Sequence, residues 1–357
     1  MTASEKLVDL LHLPPYGAVV IHDPTNMFYL TEGYTGEGAV YISLAHKVII
    51  TDFRYTEAAE RQAAGFQCRM HSKDQTLAQC LKELCEEDHI SVLYRETNYL
   101  SVDEDQQLRD ALGEEITFSP LNKLPQQIRQ IKTPAEIVTM RKAADITSEA
   151  FEAILPKIRP GMTEKELQIE LDFTMFRLGA DELAFDTIIA SGENGSLPHA
   201  VPGGRKIQMG DMITMDFGAR VGHYCSDMTR TVALGQPSSE MLKVYNTVFR
   251  AQTMCEAALA AGRSCREIDR LARDYIDSQG YQGRFGHGLG HCVGIDIHED
   301  PRLSPTSNDT LKAGMVITVE PGIYLPGVGG VRIENTCLVK ENGSEPLTTA
   351  RKELVIL

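Results

Sequence analysis

Two hydrophobic patterns alternate along the chain: short unbroken runs of Val and Ile, and longer stretches where apolar residues return every three or four positions. The first reads as buried strand, the second as amphipathic helix. Gly17 to His22 (GAVVIH), Lys47 to Thr51 (KVIIT) and Ile90 to Tyr94 predict strands, and Arg54 to Ala64 and Leu77 to Glu86 predict helices. Residues 1–125 are therefore expected to form a small α/β domain, a size within the ordinary range. Its histidines (His12, His22, His46, His71, His89) are scattered and read as surface or core.

The signals sharpen past a boundary near Pro125 to Lys132. In Thr133-Pro134-Ala135-Glu136 the threonine can cap a helix, the proline suits its first position, and the glutamate can close a capping box. Apolar residues then recur at Ile137, Met140, Ala144, Phe151 and Ile154. Thr163 with Glu166, and Ser264 with Glu267, open two further helices, and another spans Ser239 to Ala261. Between them, Thr187 to Ser191, Met212 to Gly218, Asp227 to Ala233, Met315 to Val319 and Arg332 to Val339 read as strands. Residues 126–357 are expected to alternate helices with antiparallel hairpins, an α+β domain.

Composition adds exclusions. Hydrophobic residues make up 42% of the chain, enough for a substantial core, and the net charge is −15. That charge argues against nucleic acid and anionic membrane as partners. No apolar stretch approaches the ~20 residues of a membrane helix. Glu5, Lys6 and Asp9 stand where a secretory leader needs an apolar run. The eight cysteines contain no C-x-x-C pair and no disulfide framework, so free thiols in a reducing cytoplasm are expected.

Candidate chemistry lies in the strands. Ile213 to Phe217 runs through Ala219-Arg220-Val221-Gly222 and back along Tyr224 to Thr231, a hairpin that, centred between Val221 and Gly222, sets Asp216 opposite Asp227. Opposed residues share a face, and two like charges there are destabilising unless a cation lies between them. The device recurs: a hairpin centred on Gly327 sets Glu320 opposite Glu334 in strands where a lone ionised glutamate is costly. In Phe285 to Pro301, three of the ten histidines, His287, His291 and His298, fall within twelve residues. Surrounding glycines argue against a helical HExxH site for His287 and His291. One imidazole with four carboxylates is an oxygen-rich set that favours Mn²⁺ or a similar divalent ion over sulfur-type zinc. His199 lies in a polar, glycine-containing loop able to overhang a site.

The stretches MDFGARVGHYCSDMTRTV, GHGLGHCVGIDIHEDP, VEPGIY and VRIEN resemble the M24 metallopeptidases, which include aminopeptidase P, prolidase and methionine aminopeptidase. YLTEGYTG, at Tyr29 to Gly36, is similar to their creatinase/prolidase-type N-terminal domain. The resemblance implies a pita-bread catalytic domain of two similar halves behind that smaller α/β domain. It implies two divalent ions, manganese first with cobalt or zinc as alternatives, held by Asp216, Asp227, His291, Glu320 and Glu334. Asp227 and Glu334 would bridge, and Glu320 would also shuttle a proton. His199 and His298 match substrate-contacting histidines, with His287 on the same wall. Arg302 matches an arginine that binds a dipeptide carboxylate, and Arg332 is expected to orient a ligand carboxylate. The expected activity is hydrolysis of the Xaa-Pro bond at the N-terminus of short peptides, by a cytoplasmic homodimer. Three rivals share the fold: a methionine aminopeptidase, which the extra domain argues against, and a metal-free creatinase-like hydrolase or a non-catalytic binding protein, which the full ligand set argues against.

Overall fold

The computed structural model describes residues 1–357, and the chain divides into two compact units, Met1–Arg129 and Gln130–Leu357. The first is a six-stranded mixed sheet. Its strands are β1 (Gly17–Ile21), β2 (Ala39–Ile42), β3 (Lys47–Thr51), β4 (Gln67–Met70), β5 (Val92–Arg95) and β6 (Thr117–Pro120), in the order β4-β3-β2-β1-β5-β6. The central β1 is buried along its whole length, as its unbroken apolar run requires. Helices Thr56–Gln62 and Leu77–Glu87 fall where the periodicity placed them, and Ala3–Leu11, Pro24–Thr31 and Val102–Leu112 were not expected.

In the second unit, helix Pro134–Ile154 starts on a complete capping box. The Glu136 N–H donates to Thr133 Oγ1 at 3.3 Å, and Glu136 Oε2 accepts from the Thr133 N–H at 2.7 Å. Thr163 and Glu166 cap helix Glu164–Arg177 in the same way. These helices back strands β7 (Glu182–Leu183), β8 (Ile188–Ser191), β9 (Met212–Phe217), β10 (Ala219–Val221), β11 (Tyr224–Cys225) and β12 (Met228–Ala233). Phe151, Ile154, Leu167 and Leu171 pack with Met215, Phe217 and Val232 in one core. The other half repeats the plan with helices Ser239–Ala258 and Cys265–Ser278. Its strands are β13 (Gly290–Cys292), β14 (Glu299–Leu303), β15 (Val316–Val319), β16 (Gly322–Leu325), β17 (Gly329–Arg332), β18 (Asn335–Lys340) and β19 (Gly343–Pro346). Val244, Val248 and Ile268 pack there with Ile317, Val319 and Val339. Two halves, each of antiparallel strands backed by a pair of helices, are the expected pita-bread arrangement.

The first hairpin departs from its expected register. Asp216 pairs with Thr229, not Asp227, and Val221 pairs with Tyr224. The turn is the two-residue loop Gly222–His223, with φ of 51° and 71°. Two positive φ values make a primed turn, whose twist matches the strands it joins. Asp227 is thus offset by two residues, which preserves its face, and the two carboxylates are diagonal neighbours. In the second hairpin, Gly322 pairs with Arg332 and Leu325 with Gly329, symmetric about Gly327. Val319 with Asn335 and Val316 with Leu338 continue the same count. The ladder opens only between these segments, at Glu320 and Glu334. There the Glu320 N–H donates to Leu289 O at 2.8 Å and the Glu334 N–H to Thr229 O at 3.0 Å. The single strand expected from Arg332 to Val339 is therefore two.

Candidate metal centre

Each acidic side chain of interest sits where a strand ends or opens. Asp216 is near the end of β9, Asp227 just before β12, Glu320 just after β15 and Glu334 just before β18, while His291 is central in β13. All five line one cavity of about 320 Å³. His199, His287, His298, Arg302 and Arg332 line the same cavity, so every residue singled out in the sequence meets there.

Asp227, His291 and Glu334 are buried, and one ligand atom from each lies within 4.8 Å of the others. His291 Nδ1 donates to the Cys292 carbonyl at 3.0 Å, which leaves Nε2 with its lone pair free. Nε2 faces Asp227 Oδ2 and Glu320 Oε1, each at 3.5 Å. Glu334 Oε2 accepts from Thr229 Oγ1 at 2.7 Å. Asp216 Oδ2 accepts from Arg332 Nη2 at 2.6 Å, but Oδ1 is buried without a partner. An orphaned buried acceptor needs an explanation, and a cation among these donors supplies one. Gly290 makes the close approach of β13 to β15 feasible, since a Cβ there would lie 2.0 Å from the Thr318 carbonyl oxygen.

Without a cation these groups oppose one another. Burial, then Glu334, Asp216 and Glu320, pushes Asp227 well above the usual carboxylate range. Burial and then Glu334 does the same to Glu320. Burial, then Asp216, raises Glu334 to about 8. Burial lowers His291 to about 3, so its imidazole stays neutral, the form that binds a metal. Four carboxylates and one neutral imidazole match two hard or borderline dications in charge and in donor type.

A second layer was legible in the sequence only in part: Arg332 meets a ligand carboxylate as expected, but its link through Tyr324 to His287 was not foreseen. The buried Tyr324 hydroxyl accepts from Arg332 Nη1 at 3.0 Å and donates to His287 Nε2 at 2.8 Å, because His287 Nδ1 donates to Gly288 O at 2.8 Å. The chain Asp216–Arg332–Tyr324–His287 is continuous. Burial works against the Arg332 charge, but Tyr324, Asp216 and Glu320 outweigh it and raise its pKa. Burial, then Arg332, lowers His287 to about 4. Tyr324 within an apolar strand reads as core; its one signal is Gly322, where a Cβ would meet the hydroxyl at 2.5 Å. His298 is exposed at the cavity mouth, its ring edge-on to His291 with centroids 4.5 Å apart. His199 is exposed at the rim. Phe185, Ile188, Pro198 and Ile297 give the cavity an apolar wall.

Residues 138–341 match the family model of Metallopeptidase family M24, and residues 5–131 that of the Creatinase/Prolidase N-terminal domain. The chain is 42% identical over 238 residues to the Xaa-Pro dipeptidase of Pyrococcus furiosus, covering 67% of this chain and 68% of that protein. In structure it is similar to an Xaa-Pro dipeptidase from Bacillus anthracis, with a TM-score of 0.95, 39% identity and 99% of both chains covered. It is also similar to an X-Pro aminopeptidase from Thermotoga maritima, with a TM-score of 0.91, 34% identity and 99% of both chains covered.

Proposed function

The chain belongs to metallopeptidase family M24, and from that premise we propose that it hydrolyses the Xaa-Pro bond at the N-terminus of short peptides. We propose that Asp216, Asp227, His291, Glu320 and Glu334 would hold two divalent ions, Mn²⁺ first. The observation that carries this reading is the crowd of carboxylates around the Nε2 of a neutral His291, with Asp216 Oδ1 orphaned beside them.

When bound, the ions acidify water and draw electrons from the attacked carbonyl. The residues do the rest. Arg332 fixes the angle of Asp216, and Thr229 that of Glu334, as outer partners of ligands do. The Glu320 carboxylate takes a proton from the attacking water and returns it to the leaving proline nitrogen. His298 and His199 donate to the oxygen that becomes negative in the tetrahedral state. The apolar wall of Phe185, Ile188 and Ile297 suits a proline ring, which brings no N–H to be satisfied. Arg302 can fork onto the free carboxylate of a dipeptide. A cytoplasmic homodimer completes the proposal. All eight cysteines are free, as suits a reducing compartment, and no helix is long and apolar enough to cross a membrane.

The test is mass-spectrometric product analysis with Gly-Pro and Arg-Pro-Pro, with Mn²⁺ and with EDTA. Metal-dependent cleavage of Gly-Pro alone gives a dipeptidase and assigns Arg302 its carboxylate. Release of Arg from the tripeptide gives an aminopeptidase. Silence on both in every metal tried overturns the reading.

A further inference from the structure

Strands β13 and β14 slip against each other at the edge of the cavity. Gly290 pairs with Leu303 and His291 with Arg302, but Cys292 pairs with Glu299. Asp300 and Pro301 are therefore extra residues on β14. His298 and Arg302, on either side of the slip, both line the cavity.

Glu299 does not line it. It is buried and accepts from Lys132 Nζ at 2.8 Å, with side-chain exposures of only 7% and 1%. The carboxylate rests on the backbone of the loop between His291 and His298: a Cβ on Gly294 would come within 2.5 Å of one oxygen and 2.6 Å of the other. Lys132 is itself fixed, since its N–H donates to Gly314 O at 2.9 Å and the next residue, Thr133, caps a helix.

A buried ion pair is a poor device for stability, because desolvating both charges offsets their attraction and an apolar pair often serves as well or better. Its best-attested use is to select one register among several. Here the alternative is definite. Without the slip, the His291–Arg302 register would continue to set Pro301 against Cys292 and Glu299 against Gly294. That moves Glu299 by two residues, about 7 Å along the strand, out of reach of Lys132. His298 would be drawn along with it.

We propose that Lys132 and Glu299 form a registry lock: positioning residues that hold β14 in its slipped register and so fix His298 and Arg302 in the cavity. The kinetic part of this inference rests on the proposed role of His298 and Arg302 in binding substrate.

The test compares the metal-loaded full chain with Lys132→Met/Glu299→Leu, Lys132→Met and Lys132→Arg. Steady-state kinetics on Gly-Pro, bound-metal analysis and amide hydrogen exchange across residues 290–303 are measured for each. The double variant is expected to fold and keep its metal. It should lose about 10- to 100-fold in kcat/KM, mainly through KM, the penalty for a misplaced substrate contact. Amides of β14 should exchange faster, and Lys132→Arg should restore both. Should the double variant not fold, Lys132→Met against Lys132→Arg gives the same reading. Unchanged KM with β14 protected as in the wild type overturns the lock, as does a lower Tm with no KM change where His298→Ala or Arg302→Ala does alter KM. His298→Ala and Arg302→Ala are run beside them. If neither alters the kinetics, the substrate reading has failed, and exchange in β14 still decides the lock by itself.

Discussion

Removing the metal should make folding stability fall as pH rises, and Glu334 sets the scale. Its carboxyl titrates at about 8 in the folded protein against 4.5 for the unperturbed group, through burial and then Asp216. Below 4.5 both folded and unfolded chains carry the proton, and the contribution is intact. Between 4.5 and 8 the unfolded chain releases its proton while the folded one retains it, so stability is lost progressively as pH rises. At 1.36 kcal/mol per unit, going from about pH 5.5 to about pH 8 costs about 3 kcal/mol from Glu334 alone. Asp227 and Glu320, also raised, act in the same direction. His291 acts oppositely: lowered to about 3, it adds stability as pH rises toward its unfolded value of 6.5. Glu334→Gln separates the terms, because the amide has no proton to release. The assay is urea unfolding of EDTA-treated wild type and Glu334→Gln at the two pH values. The wild type should lose more than the variant by about 3 kcal/mol or more, and Mn²⁺ should abolish the excess by taking the proton's place. If the loss is the same in both proteins, the reasoning about this crowded site is wrong.

Three more outcomes are expected. Asp227→Asn should leave the circular dichroism spectrum unchanged but lower kcat by more than the ~100-fold that loss of an outer partner can cost; near-normal turnover with metal present would remove Asp227 from the ligand set. Tyr324→Phe breaks the link between Arg332 and His287, and should lower activity about 10- to 100-fold with metal content retained; unchanged kcat and KM would make the tyrosine simple packing. Gly290→Ala sets a methyl against the Thr318 carbonyl oxygen and should cost about 1–3 kcal/mol or more in thermal unfolding, whereas a wild-type Tm would mean that β13 has room to shift.

The sequence spoke most clearly where structure is local. The boxes at Thr133 and Thr163 were legible because cap and partner lie three residues apart and no distant contact is needed. The interior strands β1, β3 and β5 were legible from their apolar runs, whereas β4 and β6 lie at the sheet edges with no such run. The first hairpin slipped because His223 adopts a positive φ, which only a glycine or asparagine would have advertised. Asp216 and Asp227 still share a face, since a two-residue error leaves parity intact. The Tyr324 relay and the Lys132–Glu299 pair depend on contacts between residues far apart in the chain, 132 and 299 in the second case. Neither carries a periodic signal.

The symmetric count about Gly327 also bears on how this hairpin can change over evolutionary time. One added or lost residue in either strand between Glu320 and Glu334 would exchange inner and outer faces for everything beyond it, turning one carboxylate out of the cavity. Length variation is therefore filtered by parity: the loop tip from Pro326 to Val328 can absorb odd changes, and the arms only even ones.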